Sequence, residues 1–149
     1  FAPETFDGAY MLHVGMNIED KRALFAEVRR VLKRRGRFAI YDIMRTDNGE
    51  LSFPVHWAAT AATSFVARPS EYRQALEAAG FEVVHERDRR AFAREAFANA
   101  KANAAPAGGP PPLGIHILMK TDVALKLENV IRNIELGLIA PVELIGKAR

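Results

Sequence analysis

Two apolar runs flank one amphipathic helix near the N-terminus, and that order constrains the fold more than any other feature. Asp7-Gly8-Ala9-Tyr10-Met11-Leu12-His13-Val14 reads as a short buried strand. Leu24, Phe25, Val28, Val31 and Leu32 then fall on one face of an α-helix running from about Asp20 to Arg35. Asn17 stands three residues before Asp20, a spacing close to a capping box, and reads as the N-cap. Gly36 supplies the stop, because glycine accepts the left-handed conformation just beyond a helix. Phe38-Ala39-Ile40-Tyr41-Asp42-Ile43 follows as a second buried strand. Strand, helix, strand, with both strands apolar on both faces, predicts a βαβ unit with parallel strands and a right-handed crossover. The fold class is therefore α/β.

The rest of the chain extends this unit within a single domain, residues 1–149, without internal repeats. A polar turn leads into an insert of about residues 45–66, with Phe53-Pro54-Val55-His56-Trp57 and a small-residue run, Ala58 to Ser64. That run has helical composition but poor amphipathicity, which predicts a short helix or a lid. Pro69-Ser70-Glu71 opens a helix with Tyr72, Ala75, Leu76 and Ala79 on its inner face and Gly80 at its end. Phe81 to Glu86 reads as a strand and Arg89 to Ala105 as an Ala-rich helix. The Pro- and Gly-rich stretch of about residues 105–114 cannot be helix or central strand, and reads as a mobile loop. A last helix, Thr121 to Leu136, carries the stripe Val123, Leu127, Val130, Ile131 and Ile134 and ends at Gly137. Val142 to Lys147 closes the chain as a strand.

Composition narrows the function. With 149 residues, 49% of them hydrophobic and 26% charged, the chain can bury a core. It has no cysteine, which excludes disulfides, cysteine nucleophiles and Cys-based zinc sites. Four histidines without spaced partners leave little for a metal site, and none is expected. No apolar run approaches the roughly 20 residues of a membrane helix, and the first residues lack the pattern of a secretory signal. A cytoplasmic location is the expectation. The basic stretch Arg29 to Arg37 lacks interleaved aromatics. It reads as a solvated helix end whose cations complement the helix dipole, and no nucleic-acid partner is expected.

In an open α/β sheet, ligands bind in the crevice at the carboxyl ends of parallel strands. Here those ends are His13 to Asn17 and Tyr41 to Ile43. His13 could serve as a general base, its ordinary pKa lying near working pH, or be satisfied by nearby backbone. Asn17 could orient a substrate carboxylate or simply cap the helix. Asp42 could hold a substrate cation or position a base, or cap a loop, with Tyr41 beside it. Trp57, next to His56 in the insert, could wall a pocket by cation–π contact or pack in the core.

Phe6-Asp7-Gly8-Ala9-Tyr10, the helix ending Arg30-Val31-Leu32-Lys33 with Gly36-Arg37, and Phe38-Ala39-Ile40-Tyr41-Asp42 resemble the middle of a class I S-adenosylmethionine-dependent methyltransferase. Ala78-Ala79-Gly80-Phe81 resembles that family's entry to its penultimate strand, and the final strand fits the antiparallel hairpin that closes such sheets. The resemblance covers roughly Phe1 to Arg87. Within the family, His13 to Ile18 and Phe53 to Ala58 look most like the sarcosine/dimethylglycine and ubiquinone/menaquinone methyltransferases. The family's "KPGG" turn reads Lys33-Arg34-Arg35-Gly36 here.

The resemblance implies a partial Rossmann-like sheet, methyl transfer to a small-molecule amine or quinone-like acceptor, and S-adenosyl-L-methionine as cofactor. It places Met11, Leu12 and His13 at the cofactor, His13 as catalytic base, and Asn17, Tyr41, Asp42, His56 and Trp57 at the substrate. His56 and Trp57 belong to the insert that forms a lid in this family. The family's G-x-G turn and ribose-gripping acidic residue lie on earlier strands and are absent here. The chain also lacks an initiator Met and enters its first strand almost at once. It therefore reads as a C-terminal half carrying a half-site. A symmetric homodimer is expected to bury the uncovered strand edge or the adjacent helix face, with Pro106 to Pro112 as a candidate hinge for exchange of the C-terminal helix and strand. The alternative is a non-catalytic module of the same fold, kept for dimerisation or regulation.

Overall fold

Apolar alternation along the strands and helix stripes turned inward place the core on both faces of one sheet. The computed structural model describes residues 1–102 and 121–149; the expected loop at 105–114 lies outside the described residues. Four strands, β1 (Phe6–Leu12), β2 (Leu32–Arg45), β3 (Phe81–Asp88) and β4 (Ile139–Ala148), lie in the order β1-β2-β4-β3. β1 and β2 are parallel, joined by α1 (Lys21–Val31), as the βαβ pattern predicts. β4 inserts between β2 and β3 and runs antiparallel to both, so the sheet is mixed.

α1 and α2 (Pro69–Ala78) cover one face. Phe25, Phe38, Tyr72, Leu76 and Phe81 pack there with almost no exposure. α3 (Arg90–Ala102) and α4 (Val123–Glu135) lie on the other, where Val130 and Ile134 of α4 pack with Ile43 and Ile139 of the sheet. The insert joins this second layer through Leu51, Val55 and Ala58. Asn133 of α4, fully buried, pins its start: Ser52 N–H donates to the side-chain oxygen at 2.9 Å, and the amide group donates to Ser52 O at 3.0 Å. The small-residue run forms only one 3₁₀ turn, Ala61–Thr63.

Two boundary expectations are corrected. Asp20, not Asn17, caps α1, its carboxylate accepting from Ala23 N–H at 2.8 Å. Asn17 belongs to a separate 3₁₀ turn, Gly15–Asn17, and its side chain donates to Val14 O. The helix also ends at Val31 rather than running to Gly36, because buried Leu32 already pairs with Phe6 in the sheet. The register then jumps from Phe6–Leu32 to Gly8–Arg37, looping out Lys33 to Gly36, with Arg35 at φ 64°. Gly36 serves close packing instead: a Cβ there would stand 2.9 Å from Lys33 O and 3.1 Å from Asp7 O. Gly80 and Gly137, at φ 91° and 75°, do follow their helices in the left-handed region.

Candidate active site

The carboxyl ends of β1 and β2 bring three of the sequence-predicted residues together, His13, Tyr41 and Asp42. His13 directly follows β1 with φ 53°, an unusual conformation for a residue bearing a Cβ and one that recurs at functional sites. Its backbone N–H donates to Tyr41 O at 2.8 Å. Its ring meets the Tyr41 ring edge-on, centroids 5.1 Å apart. Loss of water around the imidazole lowers its pKa, and the negative charge of Asp42 pulls the other way. The residue keeps a solvent-exposed side, which limits that desolvation.

Asp42, the next residue along β2, is fully buried, because the pleat turns it from Tyr41 toward the α1–α2 layer. Its Oδ1 accepts Ile43 N–H at 3.0 Å and its Oδ2 accepts the Tyr72 hydroxyl at 2.7 Å. Burial raises its pKa; the Tyr72 and Ile43 hydrogen bonds and the charges of His13 and Lys21 oppose that. The Tyr72 phenol is also raised, by burial and by the carboxylate it faces. Gly15 makes room for the pair, since a Cβ there would be driven into both Asp42 Oδ2 and the Tyr72 hydroxyl.

From the insert, His56 carries an imidazole pushed down to about 4, by desolvation first and then by the positive charge of His13. It too retains an exposed side. Its ring stands edge-on to Trp57, centroids 4.6 Å apart. The Trp57 indole N–H donates to Ser64 Oγ at 2.9 Å and its ring packs against the second core layer, so Trp57 braces the insert.

The remaining candidates lie apart. Met11 points into the α1 side of the core at 7% exposure, whereas Leu12, 54% exposed, shares the opposite face with Tyr41. Both line a shallow, uncharged hollow of about 380 Å³ along the free edge of β1. Asn17 is exposed, and its side chain is tied to Val14 O. Among the described residues no group of three or more His, Asp or Glu is placed to hold a metal, and no helix is long and apolar enough to cross a membrane.

Sequence reasoning missed Gly15, Lys21 and Tyr72. The signal for Tyr72 was present: a phenol on the inner stripe of a helix needs a buried acceptor. Nothing local identified that acceptor as Asp42, thirty residues earlier.

Known proteins supply a frame for this geometry. Residues 1–40 match the family described as "Methyltransferase domain". The methyltransferase phqN of Penicillium fellutanum is 31% identical over 90 residues, which are 56% of this chain and 28% of that protein. The crystal structure of geranyl diphosphate C-methyltransferase from Streptomyces coelicolor, in complex with Mg2+, geranyl diphosphate and S-adenosyl-L-homocysteine, superposes with a TM-score of 0.70 at 16% identity. That match covers 100% of this chain and 48% of that one. A candidate sarcosine dimethylglycine methyltransferase from Galdieria sulphuraria gives a TM-score of 0.64 at 16% identity, covering 99% and 54%. At such identities the likeness shows the fold, that of class I methyltransferases. The chain spans about half the length of these solved structures and 28% of the curated relative.

Proposed function

We propose that this chain is the C-terminal portion of an S-adenosyl-L-methionine-dependent methyltransferase acting on a small-molecule acceptor, an amine or a quinone-like ring, in the cytoplasm. The carrying observation is the grouping at the strand ends: His13, held in a left-handed conformation after β1, feels the charge of a buried Asp42 that Tyr72 and Ile43 fix in place. The match of residues 1–40 to a methyltransferase family and the shared fold support the reading.

The residues present fit only part of the cofactor. The hollow beside Met11, Leu12 and Val14 is apolar and open along β1, suited to one flat face of a nucleoside, and offers no acidic group to a ribose. When bound, S-adenosyl-L-methionine supplies an electrophilic methyl on a sulfonium, so the protein needs mainly to align the nucleophile and remove a blocking proton. His13, neutral above its lowered pKa, accepts that proton from the acceptor. Asp42 stabilises the imidazolium so formed, since its charge favours protonated His13. Tyr41 fixes the ring by edge contact, and His56 closes the acceptor side from the lid, with Trp57 bracing it. Asn17, on the exposed turn after His13, would have to release Val14 O to orient a carboxylate of the acceptor.

A second reading, a non-catalytic dimerisation module, draws on the exposed apolar edge of β1, where Tyr10 is 77% and Leu12 54% exposed. Isothermal titration with S-adenosylmethionine separates the two. This chain alone is expected to bind very weakly, and the polypeptide extended by whatever the gene encodes upstream to bind in the micromolar range. Micromolar affinity of the 149 residues would overturn the half-site. Failure of the extended protein to bind would overturn methyl transfer.

A further inference from the structure

Lys21 opens α1 yet is only 7% exposed, and its side chain runs inward rather than out to water. Its ammonium donates to Ile18 O in the turn after His13, and to Phe65 O at the end of the insert at 2.8 Å. Phe65 N–H in turn donates to Met16 O at 3.0 Å. The lid's far end is therefore tied to the segment leading out of β1 by one lysine and one backbone bond. The same ammonium stands 5.5 Å from the centre of the Tyr72 ring, and its charge acts on Asp42 and on Glu71. Burying a cation is costly unless it is compensated, so an apolar side chain would fill this position more cheaply if packing were its only task.

We propose that Lys21 is a positioning residue of the site, holding residues 64–66 of the lid against the turn after His13 while keeping a positive charge opposite Asp42. It acts through those groups and not on the acceptor, and its relevance to catalysis rests on the methyltransferase reading above. The charged and titratable groups around Asp42 are His13 after β1, Lys21 on α1 and Tyr72 on α2, with Glu71 acting on Lys21 and Tyr72.

Two variants of the full chain test this. Lys21→Met removes the charge and the donors at similar volume, and Lys21→Gln removes the charge and keeps a donor. The readouts are amide hydrogen exchange at Phe65 and the Asp42 carboxyl titration followed by carbon NMR. In Lys21→Met, exchange at Phe65 should quicken about tenfold, the scale of one lost charged hydrogen bond. The Asp42 midpoint should rise by about half a pH unit or more, as expected when a nearby cation is removed. Lys21→Gln should raise the midpoint similarly with a smaller change in exchange. A merely structural lysine would quicken exchange and leave Asp42 unmoved, which overturns the proposal, as does unchanged exchange at Phe65. If Lys21→Met loses its cooperative fold, the Asp42 midpoint in Lys21→Gln decides alone. Neither readout needs a cofactor, so a failure here is distinct from a failure of the methyl-transfer reading.

Discussion

The hydroxyl of Tyr72, on α2, donates to Oδ2 of Asp42, near the end of β2, across 2.7 Å in the buried interior. This bond joins a helix on one face of the sheet to the strand end that carries the candidate site. Tyr72→Phe removes the only side-chain donor to Oδ2 among the described residues and should destabilise the protein by about 2 kcal/mol, the range for a hydrogen bond to a charged group. Denaturant unfolding measures it, and an unchanged midpoint would count against an ionised, Tyr72-dependent Asp42.

Gly15 presses against the same pair. Gly15→Ala should cost about 1–3 kcal/mol, as overpacked cores do. Because the new methyl meets the Tyr72 hydroxyl, adding Tyr72→Phe should cost less than the two single changes summed. Strict additivity in unfolding experiments would show that the methyl is accommodated elsewhere.

His13→Ala, in a catalytically competent protein, should lower kcat by about 10²-fold, the usual scale for a lost general base. Steady-state kinetics on a variant with an unaltered melting profile is the check. An undiminished kcat would leave His13 as a backbone-held ring beside Tyr41.

Acidification should weaken the fold through the histidines. His13 and His56 both hold their protons less tightly folded than at the ordinary 6.5. Below that value the unfolded chain binds more protons, so their stabilisation is present above pH 6.5 and is lost progressively as pH falls toward their folded values. Asp42, shifted upward, contributes with the opposite sign as pH falls through its raised value. Melting temperature should therefore fall between pH 7.5 and 5.5, and His56→Gln should flatten that slope; an equal slope in the variant would remove His56 from the account.

The edge of β1 bears on assembly. It pairs only with β2 among the described strands, and exposes Tyr10 and Leu12, with exposed Val14 just beyond its end. Unprotected apolar edges invite pairing with another chain. A symmetric dimer of this chain that buries β1 is expected by light scattering at micromolar concentration, with Tyr10→Lys shifting it toward monomer. A strictly monomeric mass would contradict this. The Pro- and Gly-rich stretch expected to hinge an exchange of the last helix and strand lies outside the described residues.

Much of the fold was legible locally, because hydrophobic periodicity records which side of an element meets a core. The parallel β1–β2 pair, the inner face of α2 at Tyr72, Ala75 and Leu76, and the helix ends at Gly80 and Gly137 all follow from spacing and glycine chemistry. The strand-end rule likewise puts His13, Tyr41 and Asp42 in one region.

What periodicity could not decide were choices between two local solutions of similar energy. Leu32 fits the helix stripe as well as the strand, and it joined β2 because pairing with Phe6 buries it completely. Asn17 and Asp20 both suit an N-cap, and the 3₁₀ turn at Gly15–Asn17 left the cap to Asp20. The network that holds the site was decided wholly by the tertiary structure. Gly15, Lys21, Asp42, Phe65 and Tyr72 come from five separate segments, and no sequence period links them. A buried carboxylate needs donors from whatever packs above it, and only the closing of α1, α2 and the insert over β2 determined which residues those would be.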